Sequence, residues 1–139
     1  MSLYGDEAAD IALNGGSLVI NMGTLNNESV SNYLQGMRAY NELGLPVTYD
    51  PVGAAATHIR RDAVRQLMNG GYFDLIKGNE GEIRQVFGDS AATQRGVDSG
   101  PSTLKTADKA RLVRDLARRE SKPCRPSYQS PVSHPPPRP

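Results

Sequence analysis

Short apolar runs alternate with amphipathic stretches along this chain, and glycine or proline separates them. Continuous apolar or β-branched runs predict three buried strands, at residues 17–21, 45–50 and 72–78. In the remaining stretches, apolar residues recur at three- and four-residue steps, which is typical of helices with one buried face. The predicted helices cover residues 6–14, 28–43, 58–68, 80–87 and 106–120.

This alternation predicts the fold class and the location of a site. Strands separated by helices favour right-handed crossovers and a parallel sheet with helices on both faces, so the class is α/β. Ligands of such sheets bind beyond the carboxyl ends of the strands. Those ends read NMGT, DPVGAAAT and KGNEGE, whereas the helix-to-strand turns at the opposite edge read GG and GLP. The polar, glycine-containing edge is therefore the predicted site.

Composition excludes several classes of function. The 139 residues, 37% hydrophobic and 22% charged, fit one globular domain, and the net charge of +1 indicates no nucleic-acid or membrane partner. No apolar run approaches the roughly 18 residues that span a bilayer. The single cysteine, Cys124, cannot form an internal disulfide, and the acidic start of the chain is unlike a signal peptide. We therefore expect a cytoplasmic protein.

The residues at the strand ends suit phosphoryl transfer, which depends mainly on the placement of charge. Asp50 and Glu82 follow neighbouring strands, and two carboxylates suffice for a hydrated Mg²⁺ that also binds phosphate oxygens. Lys77 is placed to pair with a phosphate. The backbone amides of residues 53–57 precede a helix, so they are predicted to face an anion that the small side chains allow to approach.

Each of these residues also has a purely structural interpretation. Asp50 stands before Pro51 and fits the start of a turn. Asn79 fits the N-cap of the following helix, with Glu82 completing a capping box. Lys77 fits a solvated residue at a strand end. Their joint placement at one edge favours the functional interpretation, and both remain open.

Four stretches, LVINMGTLNNES, PVTYDPVGAAATHIRR, FDLIKGNEGEI and RGVDS, resemble the hydroxyethylthiazole kinase family in this order and spacing. The resemblance covers roughly residues 1–120, and NEGE also resembles the N-x-x-E signature of the ribokinase-like superfamily. The family phosphorylates the hydroxyethyl group of a thiazole for thiamine salvage. The same resemblance is compatible with the kinase half of a fungal-type bifunctional thiamine biosynthesis enzyme.

The resemblance implies a three-layer ribokinase-like α/β fold, ATP with Mg²⁺, and a homotrimer whose active sites lie between subunits. It implies that Met1 contacts the thiazole and that Lys77 and Asn79 bind ATP. It also implies that Asp50 and Glu82 are the acids near the metal and the phosphates, with small residues after Asp50 leaving room for substrate and nucleotide.

The chain also departs from the family pattern. Ala55 replaces a glycine, and the family's late Gly-Thr-Gly-Cys loop, which supplies the anion hole and the base, has no counterpart because Cys124 lies in SKPCRPSY. No catalytic residue is therefore assigned. The family also begins well upstream of Met1, so we expect an incomplete sheet, truncated at both ends. Residues 1–120 are predicted to be a partial kinase domain and residues 121–139 a disordered proline-rich tail.

Two functions follow as hypotheses. In the first, the chain belongs to a kinase that phosphorylates 4-methyl-5-(2-hydroxyethyl)thiazole and is catalytically incomplete by itself. In the second, it is a non-catalytic fragment that binds nucleotide weakly or only associates with full-length subunits.

Overall fold

The computed structural model describes residues 4–26, 28–88 and 104–120, so Met1 and the predicted tail lie outside the described residues. The predicted helices and strands form in the predicted order. They are a 3₁₀ turn at Gly5–Glu7, α1 at Ala8–Leu13, β1 at Leu18–Asn21, α2 at Ser29–Glu42, β2 at Val47–Asp50, α3 at His58–Gly70, β3 at Leu75–Ile76, α4 at Glu80–Phe87 and α5 at Thr106–Glu120.

The three described strands form one parallel sheet in the order β1-β2-β3. The third strand is shorter than predicted because the side chain of Asp74 interrupts its pairing. Asp74 donates its amide to the Val47 carbonyl at 2.8 Å, and its Oδ2 accepts the Val47 amide at 2.8 Å. Backbone pairing reaches Lys77, whose amide donates to the Tyr49 carbonyl at 2.9 Å. Lys77 is thereby held beside the end of β2.

The hydrophobic core lies on one face of this sheet. Ile20, Val47 and Tyr49 point into it and are at most 1% exposed. Tyr49 also stacks on Phe73, with ring centroids 4.6 Å apart. The core continues through buried residues of the first four helices, which are Ala8, Ala12, Met37, Tyr40, Ala63, Val64, Leu67, Ile83 and Val86.

The described residues do not cover the other face of the sheet. Val19, Thr48 and Leu75 are register neighbours and so share that face. Val19 and Leu75 are 63% and 56% exposed. The parallel α/β class is confirmed, but the second helical layer of the prediction is not among the described residues. The apolar runs indicated burial on both faces, and one of those faces is open here.

Two helices begin at the carboxyl edge of the sheet with side-chain caps. Thr57 Oγ1 accepts the amide of Arg60 at 3.3 Å at the start of α3. Asn79 caps α4 in a reciprocal capping box with Glu82. These caps direct the starts of both helices toward the strand ends. Within the described residues, no helix has the length and apolarity needed to cross a membrane.

Candidate functional site

The three strand ends meet at the carboxylate of Asp50. Asn21 and Asp50 are register partners, and Asp50 Oδ2 accepts a hydrogen bond from Asn21 Nδ2 at 3.1 Å. The same oxygen accepts from Lys77 Nζ at 2.6 Å. The carboxyl ends of β1 and β2 and the residue that follows β3 are thus tied through one oxygen atom. The structure brings Asp50 and Lys77 together, as their positions after neighbouring strands predict.

The pair of Asp50 and Lys77 is unequally exposed. The Asp50 side chain is 15% exposed, whereas that of Lys77 is 65% exposed. Because the Lys77 ammonium is mostly in solvent, screening by water weakens this ion pair relative to a fully buried one. The Lys77 side chain is therefore accessible from solvent while it remains paired with Asp50. Asp50 Oδ1 makes no hydrogen bond with the part of the chain that the structure describes, so it is directed neither to Asn21 nor to Lys77.

Glu82 is buried, and each oxygen of its carboxylate accepts a hydrogen bond from a different backbone amide. Its Oε2 accepts the amide of Asn79 at 2.8 Å, and Asn79 Oδ1 accepts the amide of Glu82 at 3.0 Å. Its Oε1 accepts the amide of Gly53 at 3.0 Å. The capping-box interpretation of Asn79 and Glu82 is confirmed. The metal role predicted for Glu82 stays a prediction, and in this structure Glu82 joins the start of α4 to the loop after β2.

The loop at residues 51–57 has small residues because it is itself buried. Ala54 and Ala55 are 0% and 3% exposed, and Ala54 belongs to the core. Gly53 has a φ of +68°, a left-handed conformation in which a β-carbon is strained. Larger side chains would thus disturb the packing, whether or not a ligand binds nearby.

Three of the five loop amides predicted to face an anion already have acceptors within the chain. Besides Gly53, the amide of Ala54 donates to the Pro51 carbonyl at 3.0 Å and that of Ala56 to the Gly53 carbonyl at 2.9 Å. The predicted anion site is therefore reduced to the amides of Ala55 and Thr57.

Arg60 is the site residue that sequence reasoning missed. Its Nη1 donates to the Met22 carbonyl at 2.6 Å and to the Val52 carbonyl at 2.7 Å. Its Nη2 donates to the Gly23 carbonyl at 3.1 Å. A cation in the first turn of a helix is unfavourable beside the positive end of the helix dipole, so its occurrence there was the available signal for a specific partner.

The donor set fits Mg²⁺ in part. The hydrogen bonds of Asp50 to Asn21 and Lys77 both use Oδ2, and Mg²⁺ in proteins binds through one or two carboxylates together with waters and phosphate oxygens. Direct ligation by Glu82 would compete with its two backbone hydrogen bonds. In the described ranges, no three His, Cys, Asp or Glu side chains form a group that could hold a metal ion.

The fold of the chain is similar to that of a solved kinase. The structure of the hydroxyethylthiazole kinase protein from Pyrococcus horikoshii OT3 matches with a TM-score of 0.66 and 28% identity, over 85% of this chain and 41% of that chain. The chain therefore has the ribokinase-like α/β fold of a small-molecule phosphotransferase.

Sequence comparison specifies the family. The sequence model of the hydroxyethylthiazole kinase family matches residues 1–122, and the chain belongs to that family. The hydroxyethylthiazole kinase of Ruminiclostridium cellulolyticum is 34% identical over 112 residues, which are 81% of this chain and 41% of that protein. The probable thiamine biosynthetic bifunctional enzyme of Schizosaccharomyces pombe is 44% identical over 94 residues, 68% of this chain and 18% of that protein. The chain thus spans well under half the length of these relatives.

Proposed function

We propose that these residues supply the magnesium and phosphate side of a hydroxyethylthiazole kinase site. The reaction transfers a phosphoryl group from ATP to the hydroxyethyl group of 4-methyl-5-(2-hydroxyethyl)thiazole in thiamine biosynthesis. Membership of the family supports the reaction class. The observation that carries the assignment is the junction of three strand ends at Asp50, with Lys77 Nζ at 2.6 Å and mostly in solvent.

Asp50 and Lys77 have complementary tasks in this proposal. Lys77 leaves Asp50 and binds the phosphates of the nucleotide, because its long side chain is exposed and solvent screens its pair with Asp50. Asp50 would hold a hydrated Mg²⁺ through its carboxylate. That ion, when bound, neutralises the charge on the phosphate oxygens.

Asn79 and Glu82 act from the start of α4. Asn79 Oδ1 is engaged in the helix cap, which leaves its Nδ2 group as a donor for a nucleotide phosphate. Glu82 keeps the loop after β2 in place through Gly53 and would add negative charge near a bound Mg²⁺. The thiazole contact of Met1, the homotrimer with sites between subunits and the cytoplasmic location remain predictions.

The kinase portion is proposed to be residues 1–120, with residues 121–139 outside it. The match to the family ends at residue 122, which supports this boundary. The 139 residues contain no Gly-Thr-Gly-Cys sequence. We therefore expect this chain to bind magnesium nucleotide without appreciable thiazole-dependent turnover.

Calorimetric titration with ATP in the presence of Mg²⁺ tests the proposal. Asp50→Asn retains the shape of the side chain and removes its charge, so we expect binding at least about tenfold weaker. Glu42→Gln makes the same change of charge at the exposed end of α2, near the opposite edge of the sheet, and should bind like the wild type. Removal of Mg²⁺ should lower the affinity of the wild type for ATP to that of Asp50→Asn. Equal binding by the wild type and Asp50→Asn would refute the role of Asp50.

One observation favours the alternative of a subunit-associating fragment. The sheet face that carries Val19 and Leu75 is exposed in the described structure, and an apolar sheet face is normally covered. Sedimentation of the purified chain separates the two functions. Association without any binding of magnesium nucleotide would favour the alternative over the kinase site.

A further inference from the structure

The peptide unit between Val52 and Gly53 is held from both sides. Its carbonyl oxygen accepts from Arg60 Nη1 at 2.7 Å, and its amide donates to Glu82 Oε1 at 3.0 Å. A rotation of this peptide would turn the carbonyl oxygen toward the carboxylate and the amide toward the guanidinium. Both new contacts would be repulsive, so the charges of Arg60 and Glu82 select one orientation of the peptide.

The same arginine holds the backbone around Asp50. The carbonyl of Asp50 accepts the amides of Met22 at 3.1 Å and Val52 at 2.9 Å. Arg60 Nη1 binds the carbonyls of those same two residues. Met22 and Val52 are therefore fixed at both of their backbone polar groups, between Asp50 on one side and Arg60 on the other.

We propose that Arg60 is a positioning residue for the phosphate site, because it fixes the loops after β1 and β2, which flank Asp50 at the end of β2. Arg60 directs three N–H groups at carbonyl oxygens of the loops after β1 and β2. The planar guanidinium matches several carbonyls at once, whereas the ammonium of lysine is a point charge on a flexible stem. The role of Arg60 in binding rests on the function proposed above, but the fixed orientation of the peptide does not.

The contacts of Arg60 and Glu82 with the peptide between Val52 and Gly53 are called the clamp below. Hydrogen exchange of the Gly53 amide, followed by NMR on the full 139-residue chain, tests the clamp directly. Loss of the charged hydrogen bonds from Arg60 should accelerate exchange at Gly53 by about tenfold or more, since local opening becomes easier. We expect this result for Arg60→Lys as well as Arg60→Met. The amide of Leu67, deep in α3, should exchange as in the wild type, which shows that each variant remains folded.

Arg65→Met is the matched control. Arg65 lies on the exposed side of the same helix and pairs only with Asp62 among the described residues. Its replacement removes the same charge from α3 but no contact with the two loops. Exchange at Gly53 should stay within about twofold of the wild type, as expected for a surface pair.

Titration of the same variants with ATP and Mg²⁺ distinguishes positioning from a purely structural role. Arg60→Lys retains the charge, so at least about tenfold weaker binding would support the proposal. Unchanged exchange at Gly53 in Arg60→Lys would overturn the clamp, and faster exchange with unchanged binding would overturn the positioning role. A wild type that binds no magnesium nucleotide would refute the proposed function and, with it, the positioning role, while the exchange data would still decide the clamp.

Discussion

Replacement of Glu82 by glutamine should destabilise the fold because two backbone amides depend on its carboxylate. The amides of Gly53 and Asn79 donate to different oxygens of Glu82, at 3.0 Å and 2.8 Å. Glutamine has nearly the same shape but only one acceptor oxygen. Whichever way its amide is oriented, one backbone N–H group faces an NH₂ donor.

The cost follows from burial and from the type of hydrogen bond. Glu82 is only 5% exposed, so water cannot readily replace the lost acceptor. A buried donor without an acceptor costs about 1–3 kcal/mol. The remaining hydrogen bond also loses the benefit of a charged acceptor, and such bonds are about twice as strong as neutral ones. We expect Glu82→Gln to lower the free energy of unfolding by about 2–4 kcal/mol, out of the roughly 5–15 kcal/mol of a typical domain.

Urea unfolding monitored by circular dichroism measures this loss. Glu80→Gln is the matched control because it makes the same change in the first turn of the same helix. Glu80 pairs with Lys109 at 3.2 Å, and losing this pair and its interaction with the helix dipole should cost about 1 kcal/mol or less. An equal loss of stability in the two variants would refute the reasoning, since it would show that the backbone contacts of Glu82 contribute nothing beyond its charge.

Two further predictions concern the same edge and the core beneath it. Gly53→Ala should cost about 1–2 kcal/mol in urea unfolding, because Gly53 has a φ of +68°; Gly81→Ala, inside α4, should instead be neutral or stabilising. Burial, together with the negative charge of Glu82 and the nearby Tyr33, raises the pKa of Tyr49 above its usual value. The neutral phenol is favoured in the folded state, so its contribution to stability is complete below about pH 10 and is lost as pH rises further. Above about pH 10 the free energy of unfolding should therefore fall less steeply with pH in Tyr49→Phe than in the wild type, by up to about 1.4 kcal/mol per pH unit. Identical plots of this free energy against pH for the two proteins would contradict the prediction.

The order of helices and strands was predictable from the sequence because it depends on local burial. In α2 and α3 the periodic spacing of apolar residues is visible within each segment, and a glycine or asparagine marks the C-terminal end of each helix. The uncovered face was not predictable in this way. Val19 and Leu75 are as apolar as core residues, and their exposure depends on which other segments cover them. The short third strand likewise reflects one side chain, that of Asp74, which takes the place of a backbone acceptor.

The candidate site was predictable to the extent that topology determines it. Parallel strands place their carboxyl ends together, so the proximity of Asp50 and Lys77 follows from the strand order. The contacts of Glu82 with Gly53 and of Arg60 with Met22 join residues 29 and 38 positions apart. No local pattern encodes such pairs. The loop amides were misjudged because the acceptors of Ala54 and Ala56 lie in a turn whose conformation the composition does not determine, and that of Gly53 is the distant Glu82.

We propose above that magnesium nucleotide binds at the carboxyl edge of the sheet, beside Asp50. Paramagnetic broadening of NMR signals by Mn²⁺ and ATP locates the metal directly, because the effect falls steeply with distance. We predict that the amide signals of Asp50 and Lys77 broaden first, that those of Gly44 and Gly71 at the opposite edge persist, and that Asp50→Asn abolishes the pattern. Broadening centred on the opposite edge, or left unchanged by Asp50→Asn, would contradict binding of the magnesium nucleotide beside Asp50.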